Sequence, residues 1–420
     1  MRKAKNIFAN IDITTIILFL LLVIFGWFNI YASQYNDDTN FAIDFSSRYG
    51  KQFYFIIISF VVALIILIID WKFYYSLSYI IYFLIILCLC AVLIMGSTTN
   101  GAISWFQIGN IKIQPSELAK FATALALAKF LNMQHFKEQK IGAKLFSYLI
   151  IFLPTLLIIL QNDLGTALIF SSFILVLYRE GLSINILFFI LILSIICLLS
   201  LLINKMILVY TFSLIAVLTI LFFRFNKKDI LTIISIWILS IFLVMGTNHF
   251  VNNILSEHHT KRINILLGKE FDPYGAGYNL IQSKIAIGSG GGFGKGFLNG
   301  TQTRFDFVPE QSTDFIFCTI GEEWGFLGSL IFIFLFTSLI SRIIILSERQ
   351  RSSFSRVYGY GVACILFFHF IINVGMTIGL LPTVGIPLPF ISYGGSSLIG
   401  FTVLLFVFLN LDSYRLEILR

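Results

Sequence analysis

Long, uninterrupted apolar runs dominate this 420-residue sequence and leave few architectures open. A run of about 17–25 apolar residues matches the length of helix that crosses a bilayer's hydrocarbon core, where the backbone finds no partner but its own next turn. Such runs fall at about 12–32, 53–70, 73–95, 115–133, 145–160, 164–179, 184–203, 206–223, 230–250, 315–341, 356–380 and 390–410. The expected fold is an all-α polytopic membrane protein with about twelve transmembrane helices, forming a single membrane domain over 1–420. Composition agrees: 12% of residues are charged, against about 25% in a soluble globular domain. Met1-Arg2-Lys3-Ala4-Lys5 resembles the start of a signal peptide, but the following run reaches Ala32, too long for a cleaved leader, and reads as a first helix.

The net charge of +8 is unevenly placed. With the N-terminus in the cytoplasm, the inside segments collect Lys129 to Lys144, Arg179, Arg224, Lys227 and Lys228. They also collect Arg342, Arg349, Arg351, Arg356, Arg415 and Arg420. This asymmetry puts both termini inside and two long loops, about 34–52 and 251–313, outside. The excess charge is expected to meet anionic membrane lipid, and no nucleic acid is expected as a partner. Residues 251–313 are themselves basic in part, through Lys261, Arg262, Lys269, Lys284, Lys295 and Arg304. Such charge serves either a solvated surface or an anionic ligand. Cys88, Cys90, Cys197, Cys318 and Cys364 lie in apolar runs without a CxxC spacing and read as buried free thiols.

Ionisable residues at membrane depth are costly, so each asks for a reason. Glu117 and Lys120, in Gln114-Pro115-Ser116-Glu117-Leu118-Ala119-Lys120, share a helix face and can pair, as a structural ion pair or as a substrate contact. Asp163, in the polar break Gln161-Asn162-Asp163, reads first as a helix cap. In the large loop, Asp272-Pro273-Tyr274-Gly275-Ala276-Gly277-Tyr278 reads as a turn, and 282–287 as a short amphipathic helix on the membrane surface. Gly288-Ser289-Gly290-Gly291-Gly292-Phe293-Gly294-Lys295-Gly296 could let backbone N–H groups cradle an anion, although it fails the P-loop pattern. Pro309-Glu310-Gln311-Ser312-Thr313-Asp314-Phe315 runs straight into the tenth span, so Asp314 lies at the membrane boundary, as a helix cap or a general base. Glu322 and Glu323 follow at a depth where they need partners. Pro382, Pro387 and Pro389, then Ser392-Tyr393-Gly394-Gly395-Ser396-Ser397, imply irregular backbone packed against a working site.

In this order, the motifs resemble the SEDS family (shape, elongation, division and sporulation proteins), closer to its elongation than its division branch. The resemblance rests on Trp105, 114–120, 162–166, 272–296, 309–323 and 373–397, in both halves of the chain. It implies a peptidoglycan glycosyltransferase of the bacterial cytoplasmic membrane that polymerises lipid II beside a class B penicillin-binding protein. Asp314 matches the family's essential acidic residue, while Ser312 stands where the family usually has His. Glu117, Lys120 and Trp105 match its functional residues. Lys120, Lys295 and Arg262 are the candidate cations for the pyrophosphate, with Gln282 and Glu310 as further substrate contacts. Asp163, Glu322, Pro387, Gly394 and Gly395 are expected to support the site. No cofactor is required; a divalent cation (Mg or Mn) on Asp314 is compatible with the chemistry, but no dedicated ligand cluster is visible. The family pattern has about ten spans, so 204–250 reads as a two-helix insertion. A lipid-precursor flippase or a non-catalytic scaffold of the elongation machinery are the alternatives.

Overall fold

A computed structural model describes residues 10–35, 44–99, 101–109, 111–133, 141–222, 226–255, 257–270, 272, 275 and 277–416. Arg2, Lys3, Lys5, the basic segment 134–140, Arg224, Arg420 and the Pro273-Tyr274 turn lie outside them. The chain packs as two compact units, one formed by 1–181 with 279–420 and the other by 182–278.

The first unit opens with α1 (Ile13–Ala32), α2 (Arg48–Ile68) and α3 (Trp71–Met95). Each starts on a polar side chain that accepts from an otherwise orphaned backbone N–H: Asp12 from Thr15, Ser47 from Gly50, Asp70 from Lys72. A small antiparallel sheet follows, β1 (Ser97–Thr99), β2 (Ala102–Ile108) and β3 (Ile111–Ile113), which the apolar-run reading had left as a connection. Next come α4 (Pro115–Met133), α5 (Ile141–Leu160), and a span broken into α6 (Leu164–Phe170) and α7 (Phe173–Arg179). The second unit holds α8 (Ile184–Leu202), α9 (Lys205–Phe222) and α10 (Lys227–His249), then a π-helical turn over Phe250–Ile254 and α11 (Glu257–Leu266). There α10 packs against both α8 and α9. The first unit resumes with α12 (Tyr278–Ser289), α13 (Thr301–Arg304), α14 (Ile316–Glu348), α15 (Ser353–Thr377) and α16 (Gly395–Ser413).

Among the described residues, ten helices are long and apolar enough to cross a membrane. Of the twelve expected spans, α4 and the α6–α7 pair do not meet that measure. The reason in α4 is its place in the core. It packs against α3, α5, α15 and α16, and Ala119, Ala122, Ala124, Ala126 and Ala128 are all buried. A helix wrapped in protein needs small residues for close approach rather than apolar bulk for lipid. The α8, α9 and α10 helices are the converse, with Ile, Leu and Phe side chains exposed along their length.

Two expectations change with the structure. The stretch 251–313 carries more helix than the single short one expected, namely α11, α12 and α13. Of the cysteines, all free, only Cys318 is fully buried and Cys88 is exposed, because lipid contact satisfies an apolar thiol as well as burial does.

Candidate active site

Asp314 stands two residues before α14, whose capping position is Phe315, a residue with no side-chain bond to the first turn. Phe315 instead plugs a small core with Ala286, Val308 and Cys318, which holds the residue next to Asp314 in place. Asp314 itself is half-buried.

The backbone of this turn is held from the other end of the chain. Three successive carbonyls are each bonded: Ser312 O by Tyr393 N at 2.8 Å, Thr313 O by Ser392 Oγ at 2.5 Å, and Asp314 O by Asn373 Nδ2 at 2.8 Å. The Asn373 amide also donates to Ile386 O at 2.7 Å, and Ser392 Oγ accepts from Leu388 N at 2.8 Å. Gly385 (φ +69°) lies against the carboxylate, for a Cβ there would sit 3.4 Å from Asp314 Oδ2. Thus the proline-rich segment that joins α15 to α16 forms a wall against the Asp314 turn.

Behind that wall lies a buried polar chain. Lys120 Nζ donates to Glu117 Oε2 at 2.7 Å and stands 2.9 Å from His369 Nε2. An ammonium can only donate, so Nε2 accepts and the imidazole proton sits on Nδ1, which lies 3.2 Å from Pro387 O. The third face of the ammonium looks at the Phe401 ring, 4.5 Å from its centroid. Glu117 and Lys120 therefore reach the wall of the site through His369 and Pro387.

Asp163 caps α6, accepting from Thr166 N at 3.0 Å, and also receives Gln114 Nε2 at 2.9 Å. Burial pushes its carboxyl up, while the Thr166 bonds, the Lys120 charge and Gln114 hold it back. The adjacent Gly165 packs directly on Val384 O. Trp105 lies on β2, which Ile103 N joins to Gln161 O at 2.9 Å, and Ser396 Oγ ties α16 to Lys112 O at 2.8 Å. Gly394 N donates to Gln52 Oε1 at 3.1 Å, and Gly395 packs on the Phe55 ring.

The remaining candidates make contacts of their own. Lys295 Nζ donates to Glu322 Oε1 at 2.6 Å, and Glu322 also accepts from Gln302 N and Thr303 N. The glycines around Lys295 serve close packing. A Cβ on Gly294 (φ +82°) would meet Glu323 O at 2.1 Å, where Gly325 kinks α14. Glu310 accepts from Thr313 Oγ1 at 2.8 Å and so braces the Asp314 turn. Gln282 is on α12, which is longer than expected and buries Leu280, Ser283 and Ala286 against protein. Arg262 is on α11 in the second unit. Among the described residues no group of three or more His, Cys, Asp or Glu side chains gathers to hold a metal ion.

Sequence reading missed His369 and Asn373, both polar within an apolar run and spaced i,i+4 on one face of α15. It also missed Arg48, which donates to Ser312 Oγ at 2.7 Å.

The sequence profile of the FtsW/RodA/SpoVE cell cycle proteins matches residues 12–218 and 208–417. The chain belongs to this family. Within it, the chain is 38% identical to the peptidoglycan glycosyltransferase MrdB of Escherichia coli K12 over 76% of its own length and 73% of that protein. It is 30% identical to the peptidoglycan glycosyltransferase RodA of Treponema pallidum over 93% of its length and 94% of that protein. A chain from a peptidoglycan synthase complex that coordinates polymerization and crosslinking superposes with a TM-score of 0.71 at 26% identity, covering 97% of this chain and 99% of that one. The Thermus thermophilus rod shape determining protein RodA shares the fold, with a TM-score of 0.63 at 22% identity over 97% of this chain and 98% of that one. The chain is thus a multi-pass membrane protein of the FtsW/RodA/SpoVE fold.

Proposed function

We propose that this chain is a peptidoglycan glycosyltransferase that polymerises lipid II, with Asp314 as general base. One observation carries the reading: a half-buried carboxylate on a turn whose three carbonyls are fixed by Tyr393, Ser392 and Asn373. A base held this firmly keeps its geometry while the substrate changes, which is what proton abstraction in a transition state requires. The acceptor sugar gives its 4-hydroxyl proton to Asp314 as its oxygen bonds to the donor's anomeric carbon. The bond to undecaprenyl pyrophosphate breaks on the opposite face, and the configuration inverts. Glu117, Lys120 and His369 keep the Pro387 wall in register with the base. The names of the relatives support the same chemistry.

The distribution of Lys and Arg favours cytoplasmic termini and a site on the outer face of the cytoplasmic membrane. A class B penicillin-binding protein is the fitting partner, by analogy with the synthase complex of similar fold. The pair α9–α10, within 204–250, is read as an insertion into a ten-span core. Purified chain in vesicles supplied with lipid II separates the readings. Glycan ladders on a gel support polymerisation; lipid II carried across the bilayer without ladders would favour a flippase.

A further inference from the structure

A diphosphate leaving group carries at least two negative charges into this site, and something must receive them. The buried cations do not suit the task. Lys120 spends its three hydrogens on Glu117, His369 and the face of Phe401. Lys295 is neutralised by Glu322. A charge already matched by a carboxylate has little net field left to offer an incoming anion.

Arg48 differs in each respect. It is the first residue of α2 and is exposed. Its Nη1 donates to the neutral hydroxyl of Ser312 at 2.7 Å, and no described carboxylate pairs with it. Asp44, the nearest acidic residue in sequence, is itself bonded to Ser46. A guanidinium has five N–H donors, so most of the fork remains for a phosphate, whose oxygens it fits two at a time. Ser312 is two residues before Asp314, a separation of at most about 7 Å along the chain. Tyr393 completes the corner: its N–H holds Ser312 O at 2.8 Å.

We propose that Arg48 is the receptor for the diphosphate of the lipid-linked substrate. This rests on the polymerase reading and names the group that the diphosphate meets. The Ser312 hydroxyl aims the guanidinium and carries no charge.

The test reads binding without turnover. Full-length protein in nanodiscs is titrated with undecaprenyl diphosphate and, separately, undecaprenyl monophosphate. The wild type is expected to prefer the diphosphate by at least tenfold. R48A abolishes that preference, R48K keeps part of it, and S312A keeps most of it because the guanidinium survives. Unchanged preference in R48A overturns the proposal. Equal loss in S312A and R48A also overturns it, since the effect would then follow the turn rather than the charge. Polymerisation by wild type and D314A is measured in parallel. Glycan synthesis that depends on Asp314, together with unaltered diphosphate binding in R48A, defeats this inference alone. Absence of glycan synthesis by the wild type defeats the functional reading instead.

Discussion

The side-chain amide of Asn373 bridges Asp314 O, at 2.8 Å, and Ile386 O, at 2.7 Å. One buried group thereby fixes the Asp314 turn to the segment that packs against it. The consequences of this relation, and of others like it, can be measured.

Replacing Asn373 with Leu keeps the volume but removes both donors. Each buried carbonyl left without a partner costs about 1–3 kcal/mol. The variant is expected to fold with a lower melting temperature, and its kcat to fall about 10- to 100-fold through misplacement of Asp314. KM should change little, and steady-state kinetics on lipid II would separate the two.

Glu117 and Lys120 form a fully buried pair, each with a side chain 2% exposed. Removing one partner leaves a lone charge in the core at a cost of about 3–5 kcal/mol. E117L and K120M should each lower the melting temperature sharply, and the double variant E117L/K120M should recover a large part of the loss. A double variant less stable than either single would show that the two charges do not compensate each other.

At the end of α14 remote from Asp314, Asp12 is paired with Arg342, and Arg349, Gln350 and Arg415 surround Asp412. These contacts tie α1, α14 and α16 together. Burial pushes Asp12 up, but bonds from Arg342 and Thr15 outweigh it and hold the carboxyl at about 2, against the usual 3.8. A depressed carboxyl stabilises the fold above its unfolded value and loses that contribution as pH falls. The loss therefore begins near 3.8 and is complete below about 2. Thermal melts across that window should show a steeper acid loss for wild type than for D12N.

The backbone contact between Gly294 and the Gly325 kink admits no side chain. G294A is expected to destabilise the protein by about 1–3 kcal/mol through overpacking. It should also disturb the Lys295–Glu322 pair. A melting temperature equal to wild type would show that this contact is not a close one.

Much of this was written in the sequence, for identifiable reasons. Helices α8, α9 and α10 meet the criterion of long apolar runs, and so their ends fell within a few residues of the expected ones. Helix α4 was placed at 115–133, although its small residues mark it as a core helix rather than a lipid-facing one. The β1–β2–β3 sheet escaped because strands of three and seven residues carry too little periodicity, although Gly109-Asn110 between β2 and β3 is a turn signal. Asp314 was legible because a carboxylate at the mouth of a span is conspicuous. His369 and Asn373 were not, since their partners Lys120 and Asp314 lie 249 and 59 residues away, and only the folded chain brings them together. The glycine-rich stretch was ambiguous because glycine serves close packing and anion binding alike.

The account's central claim is that Asp314 takes the proton of the attacking hydroxyl. Removing a general base slows its reaction by about 10²- to 10⁴-fold. The direct measurement is glycan-chain synthesis by purified D314N, an uncharged near-isostere, beside wild type on the same lipid II. The account predicts a kcat lower by at least that range, with the melting temperature and lipid II binding close to those of wild type. Glycan chains formed by D314N at the wild-type rate would contradict it.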